Sequence, residues 1–553
     1  MKIKNTPQFT IWSLIVLFVL LLGIPYFTKG LGWLSLLGFT PLLLLEDYCS
    51  KEKVRHPFLY YTAAFLLFNL FTTWWLWCVA PMAMVMANLV NTLAMTAIFS
   101  LFCLVKHFCR NSGTAIRNLV PYLFLIAVWL AWERIYQIIE ISWPWLTLGN
   151  AFATTVRLVQ WYENTGVLGG SLWILGCSIA AFGAITFILR RNKMASAVAC
   201  TFLIAALIIP SALSLMRYYT YEEKGDPVEV VLAQPNVDPF MKYGYIPQDS
   251  LDERLIYLFD SVITPNTRYL VTPETFTYDI DLKNPMYNRS YQTYMQYLQR
   301  HPDVDMLLGA LTYKTYQEGF GNNKPSPTAR RYGSGWIDLY NTAMVVDYSG
   351  ALERDQYYHK SKLVPGVEFI PYLDALGWLG PVFEKFGGSS NSYARLREMN
   401  SISNRGELKF APIICYESVY SDYCTGAMRD GANVIAVITN DGWWGNTPGH
   451  TQHFNFAALR ALENRRDVIH VANNGTSGFI NQRGDVISET PWWVETAMVG
   501  ELHPNERLTA FSEHGDRIGK TAVPAAAILF IAALFFCVSD RKSSRGKSAV
   551  SRS

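Results

Sequence analysis

The sequence predicts a polytopic α-helical membrane domain of about eight spans joined to a large water-exposed α/β domain. Three observations support this prediction. Long apolar stretches follow one another up to residue 216, and basic residues gather in alternate loops between them. From Pro227 the sequence changes to short apolar runs broken by Pro, Gly, Asn and Asp. At 553 residues the chain is too long to fold around one hydrophobic core, so at least two domains are expected.

Seven apolar stretches precede this change and an eighth follows it. A helix needs about 20 mostly apolar residues to cross the hydrocarbon core of a bilayer. A cleaved signal peptide is the alternative for the first stretch, but no small-x-small cleavage site precedes Lys29 and more spans follow directly. The predicted spans are 9–27, 31–48, 57–79, 84–106, 118–139, 166–189, 195–216 and 522–539.

The basic residues predict the orientation, because Lys and Arg accumulate in cytoplasmic loops. With the N-terminus inside, alternate loops are basic and the opposite loops hold almost no basic residues. The chain then divides into a membrane domain at 1–217, an α/β domain outside the cytoplasm at 218–521, and a last span with a cytoplasmic tail at 522–553. The inside loops and tail contain Lys51, Lys53 and Arg55, then Lys106, Arg110 and Arg117, then Arg190, Arg191 and Lys193, and finally the residues from Arg541.

Strands alternate with helices in the second half, which favours buried sheets covered by helices. Spacing alone does not distinguish one α/β layer fold from another. Residues 320–335, rich in Gly, Asn, Pro, Ser and Arg, are predicted to be a flexible insertion. The predicted strands are 228–233, 269–272, 306–310, 342–347, 410–414, 433–439, 468–472, 477–481 and 497–502, and the predicted helices are 247–262, 289–300, 420–430 and 450–464.

The net charge and the spacing of cysteine and histidine give no indication of nucleic acid or of a zinc site. The net charge of +3 is small and gives no reason to expect nucleic acid. The nine cysteines include no CxxC or Cys/His spacing of a zinc site. His450 and His453 form an HxxH pattern without an evident third ligand. We therefore predict neither a metal nor a cofactor.

Three chemically active side chains follow apolar runs at predicted strand ends. Glu274 follows the run from Tyr269, Lys360 precedes Leu-Val-Pro, and Cys415 ends the run from Phe410. A base, a cation and a thiol together suffice for acyl transfer through a cysteine, because the reactive thiolate needs a neighbouring base or cation. The alternatives are a small core residue for Cys415 or a disulfide between Cys415 and Cys424.

The local sequences resemble a known family. Pro273-Glu-Thr275, Lys360 before Leu-Val-Pro365 and Ile414-Cys-Tyr-Glu417 resemble, in this order, the nitrilase (carbon-nitrogen hydrolase) superfamily and, within it, the apolipoprotein N-acyltransferase family. Trp132-Glu-Arg134 and Trp143-Pro-Trp145, with a following Gly-x-x-Gly-Gly-Ser, resemble the membrane half of that family, although an interfacial aromatic belt is the alternative interpretation. The resemblance implies an αββα sandwich for the α/β domain.

The resemblance also implies roles for the site residues. Cys415 would form a thioester, Glu274 would accept its proton, and Lys360 would stabilise the developing oxyanion. Glu368 would orient Lys360, although the family's Pro-Phe-Gly-Glu is Pro-Gly-Val-Glu here. Tyr416 would pack beside the thiol, and Glu417 would support the turn that follows it.

Five further residues are candidates for substrate binding. The family tends to have a tryptophan in the loop after the first strand, and Tyr243 takes that place here. Trp378 lies in an apolar segment, Tyr372–Phe386, that is predicted to be a lid or arm, with a core helix as the alternative. Trp443, Trp444 and Arg466 fall in other family-like segments, with structural roles as their alternatives.

By resemblance, the protein would be an acyltransferase of the bacterial inner membrane, with its catalytic domain in the periplasm and both termini in the cytoplasm. The donor would be a phospholipid such as phosphatidylethanolamine. The acceptor would be the α-amine of the diacylglyceryl-cysteine at the N-terminus of an apolipoprotein. Two alternatives stay open: a membrane-tethered amidase of the nitrilase type, and a non-catalytic scaffold that binds lipoproteins.

Overall fold

The computed structural model describes residues 7–79, 81–110, 115–242, 244–316, 325–372, 378, 392–396 and 399–550. The first half of the chain is helical. Its α-helices are α1 (Pro7–Gly23), α2 (Thr40–Lys51), α3 (Phe58–Thr73), α4 (Leu76–Val79), α5 (Pro81–Phe108), α6 (Ala115–Tyr136), α7 (Tyr162–Thr165), α8 (Val167–Leu189) and α9 (Lys193–Thr220).

Within the described residues, six helical segments are long and apolar enough to cross a membrane. A seventh apolar helix, Phe58–Thr73, is shorter. The stretch 31–48, predicted as one span, is helical but not one continuous α-helix: it consists of a 3₁₀ helix, Gly32–Leu37, followed by α2. Pro41 lies in the first turn of α2, where proline favours the start of a new helix. The six segments are Pro7–Tyr26, Pro81–Phe108, Arg117–Tyr136, Val167–Leu189, Lys193–Thr220 and Arg517–Asp540.

The second half of the chain is an α/β domain followed by the last long helix. Its strands are β1 (Val228–Gln234), β2 (Tyr269–Val271), β3 (Thr277–Asp281), β4 (Asp305–Tyr316), β5 (Arg330–Tyr332), β6 (Gly335–Val346), β7 (Tyr357–His359), β8 (Phe410–Ile414), β9 (Val434–Thr439), β10 (Val468–Ala472), β11 (Gly478–Ile480), β12 (Val486–Glu489) and β13 (Thr496–Leu502). Its helices are α10 (Pro239–Lys242), α11 (Gln248–Asp260), α12 (Arg289–Gln299), α13 (Ser421–Arg429), α14 (Pro448–Asn464), α15 (Ala510–His514) and α16 (Arg517–Val550).

The strands form two sheets that pack face to face. One sheet has the order β13-β1-β2-β4-β6-β5, with β3 on β4 and β7 on β6, and the other has the order β12-β11-β10-β9-β8. Successive residues of β1 point to opposite faces. Val230 belongs to the core shared with β8 and β9, whereas Val231 belongs to the core shared with α11 and α12. This alternation produces the layers of the sandwich that the resemblance implied.

The strand boundaries show where sequence patterns were informative. Strands β8 and β10 have the predicted boundaries, because each is a buried, mostly apolar run. The short strands β3, β7 and β12 were not predicted, and β5 falls inside the segment predicted to be a flexible insertion. Strand β5 reads Arg-Arg-Tyr, so its composition does not reveal its pairing with β6.

The connection between α6 and α8 joins the helical half to the α/β domain. Trp145 Nε1 donates to Gln452 Oε1 of α14 at 2.7 Å. The backbone N–H of Val167 donates to Glu463 Oε1 at 2.9 Å. Because both acceptors lie on α14, which contacts β10 and β11, this part of the helical half packs on the helix layer that covers the second sheet.

Candidate active site

Three strand ends meet at one place in the α/β domain. Glu274 follows β2, Lys360 follows β7 and Cys415 follows β8. The Lys360 Nζ lies 3.0 Å from Glu274 Oε1 and 2.8 Å from Glu368 Oε1, and its side chain is 1% exposed. Cys415 is close enough for Glu274 and Lys360 to act electrostatically on its thiol. The chain therefore places a carboxylate and an ammonium beside the cysteine.

Cys415 begins a 3₁₀ turn, Cys415–Val419, and its backbone is in the left-handed region with φ of 51°. A residue other than glycine adopts this conformation at a cost and only where its surroundings enforce it. The Cys415 carbonyl oxygen accepts a hydrogen bond from His453 Nε2 at 3.0 Å. This bond from α14 helps to hold the strained residue in place.

The resting cysteine is a thiol. Burial raises its pKa above the usual value, the Glu274 carboxylate adds to this rise, and the Lys360 ammonium only partly offsets it. Glu274, Glu368 and Lys360 together carry one net negative charge when all are ionised, which disfavours a further anion beside them. Attack by the sulfur therefore requires a group that accepts the thiol proton, and the Glu274 carboxylate lies beside the thiol.

Several residues that the sequence did not single out fix the position of Glu274. Asn341 Nδ2 donates to Glu274 Oε1 at 2.7 Å, and Asn440 Nδ2 donates to the Glu274 carbonyl oxygen at 2.8 Å. Lys242 Nζ contacts the same carbonyl at 3.2 Å, and burial lowers its pKa to about 7. Gly309 of β4 passes so close that an added Cβ would lie 2.2 Å from the Pro273 carbonyl oxygen. Asn440 begins the family-like segment, residues 440–445, that also contains Trp443 and Trp444, but no local pattern marks the other residues.

Glu417 organises the turn after the nucleophile. Its Oε1 accepts hydrogen bonds from the Tyr358 hydroxyl at 2.6 Å and from the backbone N–H of Ser361 at 2.8 Å. Its Oε2 accepts from the Ile414 N–H at 3.0 Å. Burial raises the pKa of Glu417 despite these donors. One carboxylate thus ties the strand before Cys415 to the loop after Lys360.

Glu417→Gln is expected to lower the free energy of unfolding by about 1–3 kcal/mol, because the new amide N–H₂ must face a backbone N–H donor. We also expect slower acyl transfer, since this turn determines the position of Cys415. Thermal unfolding and a transfer assay would measure the two effects. Glu407→Gln, at an exposed carboxylate, is the matched control. A Glu417→Gln protein as stable as this control would contradict the role of Glu417.

One buried group among the described residues has the composition of a metal site. Ligand atoms of Asp441, His453 and His470 lie within 4.8 Å of one another. His453 Nδ1 is 3.1 Å from Asp441 Oδ1, so a proton already bridges two of the three. Burial lowers the pKa of His470 to about 3, which leaves it neutral. The sequence pattern His450–His453 did not predict this group, because Asp441 and His470 come from other elements.

The Asp441–His453 pair predicts a pH dependence of stability. Burial lowers the His453 pKa, but Asp441 outweighs burial and the net pKa is raised above 6.5. The stabilisation from the charged imidazole is therefore complete below about pH 6.5 and is lost as the pH rises through the higher pKa of the folded state. We expect the thermal midpoint to fall over this range, and His453→Gln to remove part of the fall. An unchanged pH profile in His453→Gln would contradict this prediction.

The candidate substrate residues lie in different environments. Tyr243 and nearly all of the predicted lid segment Tyr372–Phe386 lie outside the described residues; of that segment only Tyr372 and Trp378 are described, and Trp378 is 75% exposed. Trp443 packs on Phe240 with ring centroids 5.1 Å apart.

Trp444 packs on Trp75 and Trp145 of the helical half, at 5.3 and 5.8 Å between ring centroids. Arg466 is fully buried, and its guanidinium donates to the carbonyl oxygens of Ala432 at 3.0 Å and Arg507 at 2.9 Å. These bonds give Arg466 a structural role inside the domain.

Tyr416 links the nucleophile turn to the helical half. Its hydroxyl donates to the Ser142 carbonyl oxygen at 2.8 Å. Its ring stacks on Trp143, with centroids 5.7 Å apart and planes 17° from parallel. The residue after the nucleophile is therefore held by the connection that follows α6.

The disulfide alternative is wrong, because Cys415 and Cys424 are both free.

Comparison with known proteins finds family matches for both halves of the chain. The carbon-nitrogen hydrolase family matches residues 327–508, and the apolipoprotein N-acyltransferase N-terminal domain matches residues 16–180. The apolipoprotein N-acyltransferase of Chlorobaculum tepidum is 28% identical over 93% of this chain and 95% of its own length. That of Geobacter metallireducens is 23% identical over 94% of each chain, and that of Pasteurella multocida is 25% identical over 73% and 72%.

The layered sheets and the carboxylate, ammonium and thiol at their strand ends define a domain of the carbon-nitrogen hydrolase class. This domain is fused to apolar helices, which makes the protein a membrane protein. The chain belongs to the apolipoprotein N-acyltransferase family.

Proposed function

We propose that the protein transfers a fatty acyl chain from a phospholipid to the α-amine of the N-terminal diacylglyceryl-cysteine of an apolipoprotein, by way of a thioester on Cys415. One observation carries the proposal: the turn that bears Cys415 is bonded through Tyr416 to the membrane half of the chain. A nucleophile in that position is within reach of substrates that are themselves anchored in a bilayer. Membership of the family supports the same activity.

In the first half-reaction the Cys415 sulfur attacks the ester carbonyl of the phospholipid as Glu274 accepts the thiol proton. Lys360 stabilises the negative charge that develops on the carbonyl oxygen, and a backbone N–H of the Cys415–Val419 turn adds a second donor. Each such donor typically contributes about 3–4 kcal/mol to the transition state. The C–O bond then breaks, Glu274 returns the proton to the departing alkoxide, and a lysophospholipid leaves.

In the second half-reaction the α-amine of the acceptor attacks the thioester. Glu274 accepts the proton from nitrogen, the C–S bond breaks, and the sulfur regains a proton. An α-amine has a pKa of about 8, so part of it is neutral and nucleophilic near neutral pH. The raised pKa of the Cys415 thiol favours its reprotonation, which resets the site.

The proposal includes the arrangement in the membrane. Eight spans, both termini in the cytoplasm and a periplasmic catalytic domain at 218–521 fit the alternating basic loops of the sequence. Phosphatidylethanolamine is the proposed donor. Residues Tyr372–Phe386 are the proposed lid, and their apolar character suits a segment that admits acyl chains while it excludes water.

Mass spectrometry of the purified full-length protein tests the function. After incubation with phosphatidylethanolamine, we expect the mass of one acyl chain on a peptide that contains Cys415. Addition of a diacylated lipopeptide should remove this adduct and yield a triacylated product. Release of ammonia from small amides without transfer to an amine would indicate the amidase instead. An adduct that persists after lipopeptide is added would contradict the transfer step.

A further inference from the structure

An open groove lies between three helices of the membrane half, away from the active site. Helices α6, α8 and α9 enclose about 690 Å³ that is lined almost entirely by apolar side chains. The part of α6 that lines it is Leu119–Ile126, in the first half of that helix. The loop that contacts the nucleophile turn follows the other end of α6. The groove is therefore separate from the proposed transfer site.

Two glycines of α8 create much of this space. A Cβ added at Gly176 would have no atom within 4 Å, and one added at Gly183 would meet only Phe187 at 3.9 Å. Helix α9 does not close the gap, because its buried residues are Ser214 and Tyr218, near its far end. The volume lies in the range of small-molecule sites.

One mouth of the groove is basic. Arg190, Arg191 and Lys193 are exposed in the turn between α8 and α9, and Asn192 of the same turn lines the groove. The start of α9 adds the partial positive charge of a helix N-terminus. The basic residues therefore lie at the end of the groove where α8 passes into α9.

Three of the other basic residues predicted on the same side are paired with a carboxylate within the chain. Lys106 pairs with Glu46, Arg117 Nη1 lies 2.9 Å from Asp540, and Lys51 Nζ lies 2.6 Å from Asp47. Among the described residues, no carboxylate lies within 4.0 Å of the charged groups of Arg190, Arg191 or Lys193. The positive charges of these three side chains are therefore available to an anion from outside the chain.

We propose that the groove binds an anionic glycerophospholipid, with an acyl chain between α6, α8 and α9 and its phosphate at Arg190, Arg191 and Lys193. Basic pockets between membrane helices are suited to anionic headgroups, and an apolar groove beside such a pocket accepts the attached chain. The bound lipid would fill the groove left between α6 and α9, each of which packs against α8. It is a structural ligand and not the acyl donor.

Lipid titration of the purified full chain in detergent tests the proposal. Phosphatidylglycerol and phosphatidylcholine with identical acyl chains would be compared by native mass spectrometry and by the thermal unfolding midpoint. We expect phosphatidylglycerol to bind more tightly by a factor on the order of ten, because each basic residue near a headgroup contributes to the attraction. Equal binding of the two lipids would overturn the proposal.

Substitutions in the groove and at its basic mouth test where the lipid binds. Gly176→Leu and Gly183→Leu fill the groove without meeting the backbone and improve helix propensity, so we expect folded proteins that have lost the bound lipid. Arg190→Gln/Arg191→Gln/Lys193→Gln should retain the groove but bind both lipids equally. Ala197→Leu, on the exposed face of α9, and Lys53→Gln/Arg55→Gln are the matched controls for bulk and charge. Preference for phosphatidylglycerol that survives in both leucine variants would also overturn the proposal.

Discussion

Lys360→Met is expected to abolish acyl transfer and to lower the free energy of unfolding by about 3–5 kcal/mol. The ammonium contacts Glu274 at 3.0 Å and Glu368 at 2.8 Å, and it is almost completely buried. Both carboxylates and burial act on its pKa: burial lowers it, but the two acids outweigh burial and raise it well above the usual value. Without the ammonium, two carboxylates face each other away from water.

Thermal unfolding in detergent and transfer from a labelled phospholipid to a lipopeptide measure these two effects. Lys409→Met removes an exposed lysine of the same domain and should change neither quantity. Glu274→Gln/Lys360→Met removes both partners and should recover part of the stability without recovering transfer. Transfer at the wild-type rate in Lys360→Met would show that the oxyanion is stabilised by other groups.

Cys415→Ala is expected to reduce transfer by a factor on the order of 10⁴ or more, which is the usual consequence of removing a covalent nucleophile. Stability should change little, because the hydrogen bond from His453 goes to the backbone carbonyl of residue 415. The assay is the acyl adduct together with product formation under single-turnover conditions.

Cys424→Ala is the matched control, because this buried cysteine lies on α13 and its thiol contacts only the Glu417 carbonyl among the hydrogen bonds of the described residues, at 3.6 Å. It should retain both adduct and product. An adduct that forms in Cys415→Ala would place the nucleophile elsewhere in the chain, and wild-type transfer in that variant would support a non-catalytic scaffold.

Continuous apolar runs were the best guide to the fold. Strands β8, β9 and β10 are buried on both faces, so each appears in the sequence as a mostly apolar segment, interrupted only by His470 in β10 and ended by Thr439 in β9. Short edge strands such as β5 are set by pairing with a neighbour distant in the sequence, which local composition does not encode. The break before α2 was missed because hydropathy does not register a change from a 3₁₀ helix to an α-helix.

The candidate site was predictable only where chemistry coincides with a strand end. Glu274, Lys360 and Cys415 each follow an apolar run, and their order resembles one family. The groups that hold them do not share this signal. Asn341 lies in the middle of β6, and His453 is one of several polar residues of α14. Their roles depend on which elements meet in three dimensions.

The contact between Tyr416 and the Ser142–Trp143 segment has a practical consequence for inhibitor discovery. A water-soluble fragment that begins after α9 would leave the Tyr416 ring and hydroxyl without their partners and would expose the face of Trp444 that normally packs on Trp75. Its reactive cleft would relax into a shape that the intact enzyme does not adopt. Compound screens should therefore use the whole polypeptide, reconstituted with lipid, from the outset.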